Sequence, residues 1–253
     1  ASTVALRPTV IPTPTPLPAV PLPKENVFFG VYDPEGAFSH ATQVKVEEVF
    51  LPWRLNGTTE LTLAVEEIRK RDRFPLVVIE PWPFGINGLT AETLLADIAN
   101  GYYDVTIKAL AQATVAQKPQ TIFIRWGHEM ELTGLYPWAQ GNPESYILAY
   151  RRFVDLFRQE GAINVKWVWS PAGNSGCEAY FPGTEYADYI GVTVLANEDW
   201  DKESGFTTTR TFAALMQEKY RLADYFHKPM IVVEAGVSLA DEEAKKRWLA
   251  EAI

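Results

Sequence analysis

Two glutamates stand at the ends of apolar, strand-like runs of the chain. Glu129 follows Ile-Phe-Ile-Arg-Trp-Gly-His at 122–128, and Glu234 follows Pro-Met-Ile-Val-Val at 229–233. Such runs are typical of strands buried on both faces, so a carboxylate at the tip of one lies at the rim of a core. Two such tips are the expected parts of a double-carboxylate site that hydrolyses glycosidic bonds.

The chemistry of such a pair depends on the distance between its carboxyl groups. A separation of about 5–5.5 Å gives retention through a covalent intermediate, whereas about 6.5–9.5 Å leaves room for a water molecule and gives inversion. The proton donor has to stay protonated near neutral pH, and the negative charge of its partner helps by raising the donor's pKa. One glutamate at a strand end would be weak evidence, but two in distinctive strings predict a catalytic pair.

The elements that would position these tips alternate along the chain. Strands are predicted at 27–32, 44–53, 74–82, 121–126, 165–170, 187–195 and 230–234, and helices at 58–71, 90–117, 143–160, 212–226 and 241–253. Apolar strands separated by helices predict an α/β fold, namely a (β/α)8 TIM barrel. A doubly wound open sheet is the competing arrangement, and the lack of a Gly-rich phosphate loop after the first strand argues against it.

Several details of this pattern can be checked. Thr58 or Thr59 is expected to cap the first helix. Gly101 is expected to interrupt the long helical stretch at 90–117, and Gly161 to end the helix at 143–160. An eighth strand is missing, because the chain stops within the helix after the seventh strand. A truncated sequence and an irregularly supplied last strand are both open explanations.

The first 26 residues differ from the rest of the chain. Seven prolines lie between positions 8 and 23, interleaved with Thr, Val and Leu. Proline at this density prevents helix and sheet and favours extended polyproline II. We therefore expect residues 1–26 to be a linker or tether and 27–253 to be one catalytic domain. A tether of this kind suggests a bacterial protein that is secreted, periplasmic or at the cell surface, and a disordered tail is equally open.

Composition excludes several classes of function. The net charge of −9 argues against nucleic acids and anionic membranes, although it could serve solubility alone. One cysteine and three histidines far apart in sequence, at 40, 128 and 227, predict neither a disulfide nor a zinc site. No apolar run reaches the roughly 20 residues of a membrane span. We expect a monomer that needs no metal or cofactor and whose partner is a polysaccharide or oligosaccharide.

Further strings make the chain similar to glycoside hydrolase family 26. The string Arg-Trp-Gly-His-Glu-Met at 125–130 is followed by Tyr-Pro-Trp at 136–138 and Gly-Asn-Pro-Glu at 141–144, which resembles the family in order and spacing. Similar strings recur at 80–82, 101–104, 164–171, 180–183, 188–191, 228–229 and 234–236. The resemblance runs from about Val27 to the chain end. It implies a retaining (β/α)8 barrel with its acid/base and nucleophile glutamates on strands 4 and 7.

The resemblance also implies roles for individual residues. Glu129 would be the general acid/base and Glu234 the nucleophile. His128 would hydrogen-bond near the nucleophile and the sugar's 2-hydroxyl, unless it is only a hydrogen-bonded residue at a strand end. Arg125 would hold Glu234 ionised through a charge-assisted hydrogen bond, or form an ion pair inside the barrel.

The tryptophans and a third carboxylate are further candidates for substrate binding. Trp138 would offer a face for stacking, and Trp82 and Trp169 are similar candidates that could equally be core residues. Glu80 lies at the rim after the third strand, where binding a sugar hydroxyl and pairing with Arg125 are both open.

The chain departs from the family pattern at two places. Glu131 stands where the family commonly has Asn, and the added carboxylate could change subsite contacts or a pKa. After the sixth strand the family often has a Tyr near the nucleophile, but here the string Val-Leu-Ala-Asn-Glu-Asp-Trp at 194–200 has none. Asn197 or Trp200 is expected to line the cleft instead. These changes bear on the substrate more than on the reaction.

Three functions are candidates for a chain with these features. The first is a retaining endo-β-glycanase acting on a β-1,4-linked or mixed-linkage polysaccharide, β-glucan or β-mannan, with the Tyr-Pro-Trp string slightly favouring β-glucan. The second is a catalytically weakened barrel that binds a glycan without cutting it, which the presence of both glutamates disfavours. The third, a phosphate- or metal-dependent barrel enzyme, lacks an anion loop and a ligand cluster.

Overall fold

Seven parallel strands form one curled sheet in the computed structural model, paired in the order in which they occur along the chain. They are β1 (Phe29–Tyr32), β2 (Val44–Pro52), β3 (Phe74–Glu80), β4 (Ile122–Trp126), β5 (Val165–Trp169), β6 (Tyr189–Asn197) and β7 (Met230–Ser238). This order confirms the predicted barrel architecture and excludes a doubly wound sheet, in which the strand order reverses at a switch point. The part of the chain that the structure describes, 28–54, 57–84 and 90–252, contains no eighth strand.

Helices connect most of the strands. They are α1 (Gly57–Lys70), α2 (Leu94–Asn100), α3 (Asp104–Val115), α4 (Pro143–Gln159), α5 (Glu198–Glu203), α6 (Phe212–Phe226) and α7 (Glu242–Ala252), with short 3-10 turns at Cys177–Tyr180 and Thr184–Tyr186. The short helix α5 was not predicted, and β6 and β7 extend beyond their predicted ends. The tether predicted at 1–26 lies outside the described residues and stays a prediction.

The helix boundaries follow local capping chemistry. The helix α1 begins at Gly57, so the prediction that Thr58 or Thr59 caps it was wrong; both lie in its first turn. The predicted interruption at Gly101 is confirmed, since this residue takes φ +92° and its N–H bonds back to the end of α2. The Asn142 side chain caps α4 by accepting a hydrogen bond from the Ser145 N–H. Gly161, with φ +80°, follows the end of α4 as predicted.

The inside of the sheet has an apolar layer beneath a polar one. The apolar layer is built from Leu76, Val168 and Val233, against which Val46, Phe123, Tyr189 and Ile231 pack. Side chains two positions apart on a strand face the same side, so the residues that follow Val46, Phe123 and Val168 on this face are Glu48, Arg125 and Ser170. The apolar layer therefore lies directly beneath the polar one.

An irregularity in β7 directs the second glutamate inward. The ladder pairs Val192 with Val232 and then Thr193 with Glu234, so Val233 is an extra residue in β7. Such a bulge lets two consecutive residues face one side of a sheet. Val233 packs against the interior layer, and the next residue, Glu234, bonds Arg125 above it.

The helices bury their apolar faces against the outside of the sheet. The helix α4 carries buried aromatics at helical spacing, and its Phe153 stacks on Trp126 of β4 with ring centroids 5.2 Å apart. Truncating a fully buried aromatic of this size costs about 3–5 kcal/mol. This packing holds β4 in place, and β4 leads directly into the segment that carries Glu129.

Candidate active site

Glu129 lies just beyond β4 in a tight backbone turn. Gly127 and Glu129 both have φ +53°, a conformation that glycine adopts easily and glutamate rarely. The Glu129 N–H donates to the Ser170 carbonyl at 2.8 Å, which fixes the turn against the end of β5. Strained backbone of this kind clusters at functional sites, where surrounding contacts hold it.

Glu234 is held by an arginine inside the barrel. Arg125 Nη1 lies 2.6 Å from Glu234 Oε1, and Arg125 Nε donates to Ser170 Oγ at 2.8 Å. The Arg125 side chain has no exposed surface, whereas that of Glu234 is 31% exposed. A charge-assisted bond to a fixed guanidinium favours the ionised carboxylate. Glu234 thus combines an ion pair to a buried guanidinium with access from the rim, and this pair is the barrel-interior contact that the sequence left open for Arg125.

Thr193 brings the two glutamates to the same rim. Its Cα pairs with that of Glu234 between β6 and β7, and its hydroxyl donates to Glu129 Oε1 at 2.7 Å. Neighbouring strands lie about 4.8 Å apart. The two carboxyl groups therefore flank one small side chain at the carboxyl end of the barrel, the face on which such folds carry their sites.

The environments of the two glutamates differ. Burial raises the pKa of Glu129 above the usual value for glutamate, the hydrogen bond from Thr193 opposes this rise, and the negative charge of Glu234 adds to it. A carboxyl group that stays protonated beside an ionised partner can act as a general acid. The two carboxyl groups therefore differ in burial and in partner: Glu129 bonds the Thr193 hydroxyl, and Glu234 bonds the Arg125 guanidinium.

A third carboxylate, Glu48, belongs to this group and was missed by the sequence analysis. Its Oε1 lies 3.4 Å from Arg125 Nη1, the nitrogen that also bonds Glu234. Burial, together with the charge of Glu234 and against the charge of Arg125, raises the pKa of Glu48 to about 7. The alternation of side chains along β2, which puts Glu48 on the same inward face as Val46, could have identified it. Because Glu47 and Glu48 are adjacent, the sequence alone does not say which of the two faces inward.

His128 is neutral and buried beside the candidate acid. Burial and the nearby charge of Arg125 lower its pKa to about 2. Its ring packs edge-on against Tyr136, with centroids 5.0 Å apart. Its Nδ1 is buried and has no hydrogen-bond partner within the described ranges. The role expected of His128, hydrogen bonding near the nucleophile and to the sugar's 2-hydroxyl, stays a prediction.

Two of the predicted sugar platforms lie in the core. Trp138 and Trp169 have no exposed surface. Trp138 stacks on Tyr136 at 4.7 Å and donates its Nε1–H to the His128 carbonyl at 2.6 Å, while Trp169 packs against Phe181. Neither ring offers a face to a ligand in this arrangement. Trp138 instead supports the segment that carries His128 and Glu129.

Glu80 and Trp82 form a pair of their own at the end of β3. Both are half-buried, and Trp82 donates its Nε1–H to Glu80 Oε2 at 3.2 Å. Of the two roles open for Glu80, pairing with Arg125 is not found; the ion pairs of Arg125 within the described residues go to Glu48 and Glu234. Sugar binding by Glu80 and Trp82 stays a prediction.

Asn197 and Trp200 lie at the far end of the rim. The Asn197 side chain caps α5, accepting from the N–H groups of Asp199 and Trp200 at 2.9 and 3.1 Å. This uses its amide oxygen for structure. Trp200 is 57% exposed and keeps an open ring. The ladder between β6 and β7 extends four residues beyond the Thr193–Glu234 pair, to Asn197 and Ser238. At the usual rise of a strand, Asn197 therefore stands about 13 Å above the level of Glu234.

Two further residues complete the site. The Tyr136 hydroxyl lies 3.5 Å from Glu129 Oε2, and burial with the charges of the surrounding glutamates raises its pKa to about 12. Glu131, the departure noted in the sequence, accepts hydrogen bonds from the N–H groups of Gly173 and Asn174 at 2.8 and 3.3 Å. It therefore ties down the loop after β5. Its charge also contributes a little to raising the Glu129 pKa.

The described residues contain neither a metal-binding cluster nor a membrane-spanning helix. No group of three or more His, Cys, Asp or Glu among them could hold a metal ion. Within the same ranges, no helix combines the length and apolar character needed to cross a membrane.

A half-open (β/α) barrel with two unlike glutamates, Glu129 just beyond β4 and Glu234 within β7 four residues before its end, defines the glycosidase class of site. Comparison with known proteins gives the particular family. The model of glycosyl hydrolase family 26 matches residues 80–236, a span that includes both glutamates, and the chain belongs to this family.

Individual relatives fit this assignment. The chain is 30% identical over 194 residues to Endoglucanase H of Acetivibrio thermocellus, a match that covers 70% of this chain and 19% of that protein. The chain thus spans about a fifth of this curated relative.

Solved structures share the fold. A β-mannanase of family 26 from Bacteroides ovatus matches with a TM-score of 0.55 at 17% identity, over 76% of this chain and 62% of that one. A β-(1,4)-mannanase from Podospora anserina matches with a TM-score of 0.55 at 16% identity, over 89% and 54%. A broad-specificity endoglucanase from Clostridium longisporum matches at 0.58 and 11% identity, over 83% and 68%. At these identities the likeness concerns the barrel alone.

Proposed function

We propose that this chain is a retaining endo-β-glycanase that cleaves a β-1,4-linked or mixed-linkage polysaccharide by double displacement. The observation that carries the proposal is the contrast between two glutamates that flank Thr193. Glu234 is bonded to the Arg125 guanidinium at 2.6 Å, and Glu129 is buried with a raised pKa. Double displacement needs one ionised and one protonated carboxyl group on opposite sides of the sugar.

In the first step Glu234 attacks and Glu129 gives up its proton. A carboxylate oxygen of Glu234 forms a bond to the anomeric carbon, and the bond from that carbon to the glycosidic oxygen breaks. The Glu129 proton moves to the departing oxygen, so the leaving sugar is released as an alcohol. Arg125 holds Glu234 in position for this attack through its bonds to Glu234 and Ser170.

In the second step the roles reverse. Glu129, now ionised, accepts a proton from a water molecule, whose oxygen bonds to the anomeric carbon as the bond to Glu234 breaks. Two inversions at one carbon restore the original configuration. Loss of the Glu129 proton in the first step lets it serve as the base in the second.

The substrate class rests on weaker support. One relative is named an endoglucanase and two structural neighbours are named β-mannanases, so both glucan and mannan are represented among similar proteins. The string Tyr-Pro-Trp at 136–138 favours β-glucan slightly. We propose an endo mode of action on one of these polymers, by a monomer that is secreted or held at a bacterial surface by its Pro/Thr-rich segment.

The experiment that tests the proposal is a panel of soluble β-glucans and β-mannans assayed for new reducing ends. The wild-type chain should release them from at least one polymer, and Glu234→Ala should release none. Proton NMR of early products should show the β anomer first. An α product, or near wild-type activity in Glu234→Ala, would refute the assignment.

One observation favours a second candidate, a weakened barrel that binds glycans. The family's Tyr after the sixth strand is absent, and the exposed Leu195 occupies the inner face of β6 two residues beyond Thr193. A chain of this kind would bind a polysaccharide in affinity electrophoresis and release no reducing ends from any member of the panel.

A further inference from the structure

One nitrogen of Arg125 faces two carboxylates. Its Nη1 lies 2.6 Å from Glu234 Oε1 and 3.4 Å from Glu48 Oε1. Arg125 has no exposed surface, and Glu48 is 7% exposed, so water screens the contact between them poorly. The shorter distance shows that Arg125 is drawn to Glu234 and holds Glu48 only loosely.

Counting charges shows which carboxyl groups can be ionised together. If Glu48, Glu129 and Glu234 were all ionised, three negative charges would surround the single positive charge of Arg125. If Glu48 and Glu129 are both neutral, Arg125 and Glu234 remain as a balanced pair. Uncompensated buried charges are strongly disfavoured, so burial favours the second state over the first.

We propose that Glu48 is a positioning residue that carries a proton in the active enzyme, and that its ionisation draws Arg125 away from Glu234 and slows the attack of Glu234 on the sugar. This inference rests on the proposed function, because it concerns the nucleophile of that reaction. Glu48 touches neither the sugar nor the reacting atoms. It acts through Arg125 alone.

The surroundings of Glu48 leave it few other partners. In the ladder its neighbours are Tyr32 on β1 and Leu76 on β3. The charged groups that face it from the strands opposite are Arg125 of β4 and Glu234 of β7. A protonated Glu48 has a hydroxyl that can donate a hydrogen bond, and it carries no negative charge that would compete with Glu234 for Arg125.

Glu47, the residue adjacent to Glu48, is also a buried glutamate of β2 but makes no contact with Arg125 among the described residues. Glu47 is 6% exposed, as buried as Glu48, but it faces the other side of β2. It bonds Arg71 at 2.6 Å and Arg73 at 2.6 Å, which neutralise it away from the site. Glu47 is therefore a matched control for burial, residue type and strand.

The test must separate Glu48 from the acid Glu129, because ionisation of either would slow ordinary turnover at high pH. Trapping by a dinitrophenyl 2-deoxy-2-fluoro-β-cellobioside, or the mannobioside if mannan is the polymer cleaved, avoids this problem. Glu234 displaces dinitrophenolate, a leaving group that needs no proton from Glu129, and the fluorine makes the glycosyl-enzyme long-lived. Mass spectrometry of the intact chain then gives the trapping rate.

The expected result is a pH dependence that disappears when Glu48 cannot ionise. With a pKa of about 7, Glu48 goes from about nine-tenths to about one-tenth protonated between about pH 6 and pH 8, so the wild-type trapping rate should fall about tenfold. In Glu48→Gln and in Glu48→Met the rate should fall less than about twofold over the same range. Glu47→Gln should keep the wild-type fall.

Two results would overturn the inference. One is a wild-type trapping rate that does not change between these pH values, which needs no variant at all. The other is a tenfold fall that persists in both Glu48 variants, with folding confirmed by melting curves. Failure of the proposed function looks different, because then the wild-type chain is not labelled on Glu234 at any pH.

Discussion

Gly191 on β6 lies so close to Ser170, the residue directly after β5, that no larger residue fits at position 191. A Cβ placed on Gly191 would come within 2.9 Å of both Cβ and Oγ of Ser170 and within 2.8 Å of Val168 Cγ1. Both neighbours are short and buried, so neither can swing away. This close approach sets Ser170 where its hydroxyl accepts the Arg125 Nε–H at 2.8 Å. A glycine that touches no substrate thus determines where the arginine of the site lies.

Gly191→Ala should therefore reduce both stability and activity. Overpacking of a buried position costs about 1–3 kcal/mol, and the displaced Ser170 should loosen Arg125. We expect a lower midpoint in urea and at least about a tenfold lower kcat/KM. Gly57→Ala is the control, because its added Cβ would meet atoms only at 3.6 and 3.7 Å. Unchanged activity in Gly191→Ala would show that Ser170 does not place Arg125.

Thr193→Val should move the alkaline limb of the activity profile. The Thr193 hydroxyl lowers the pKa of Glu129 by donating to its carboxylate, so removing this bond raises that pKa further. The acid then stays protonated to higher pH, and the alkaline limb of kcat/KM should shift upward. Loss of the bond should also lower the maximum about tenfold. Thr193→Ser keeps the hydroxyl and should keep the wild-type limb; a shift toward lower pH in Thr193→Val would contradict the assignment.

Arg125→Lys should lower kcat far more than it changes KM. A lysine ammonium is a point charge and cannot bond Ser170 and Glu234 in the fixed geometry of the guanidinium. Poor orientation of Glu234 should reduce kcat about 10²-fold or more. Arg152→Lys is the matched control, since Arg152 forms a bidentate pair with Asp104 on the helices, away from the barrel interior. A rise in KM alone would indicate that Arg125 serves substrate binding.

Glu129→Ala should spare substrates with good leaving groups. Without the acid, cleavage of a polysaccharide should fall by about 10²–10⁴-fold, whereas an aryl glycoside with a nitrophenolate leaving group should still form the glycosyl-enzyme. Azide can then attack that intermediate in the space left by the side chain and restore turnover, giving a β-glycosyl azide. In Glu234→Ala no glycosyl-enzyme forms, so azide can attack only the substrate itself and any product should be the inverted α-glycosyl azide. The two variants together separate the acid/base from the nucleophile.

The stability of the protein should decrease as pH rises from about 5 to 7. The folded-state pKa of Glu48, about 7, exceeds that of the unfolded chain, so the folded state binds more protons in this interval and deprotonation opposes folding. The raised pKa of Glu48 lowers the free energy of unfolding by on the order of a few kcal/mol over this interval, and the loss is complete above the folded-state pKa. Melting temperatures of Glu48→Gln should show a smaller decrease over this interval than those of the wild-type chain. Parallel curves would mean that Glu48 does not titrate there.

The sequence alone determined the order of the elements and pointed to the two glutamates that we propose carry the chemistry. Apolar strands alternating with amphipathic helices admit few folds, and a glutamate at the end of such a strand is visible without coordinates. The break at Gly101 and the end of α4 before Gly161 were also predictable, because they depend on local backbone preferences.

Only the tertiary structure decided which groups surround those glutamates. Glu48 is 77 residues from Arg125 in sequence, and the two meet because a curled sheet turns the inner faces of β2 and β4 toward each other. Trp138 was expected to offer a stacking face, Trp169 was open between cleft and core, and both are buried in the core. Burial and pairing depend on how distant strands close around a common interior, and no local pattern records that closure.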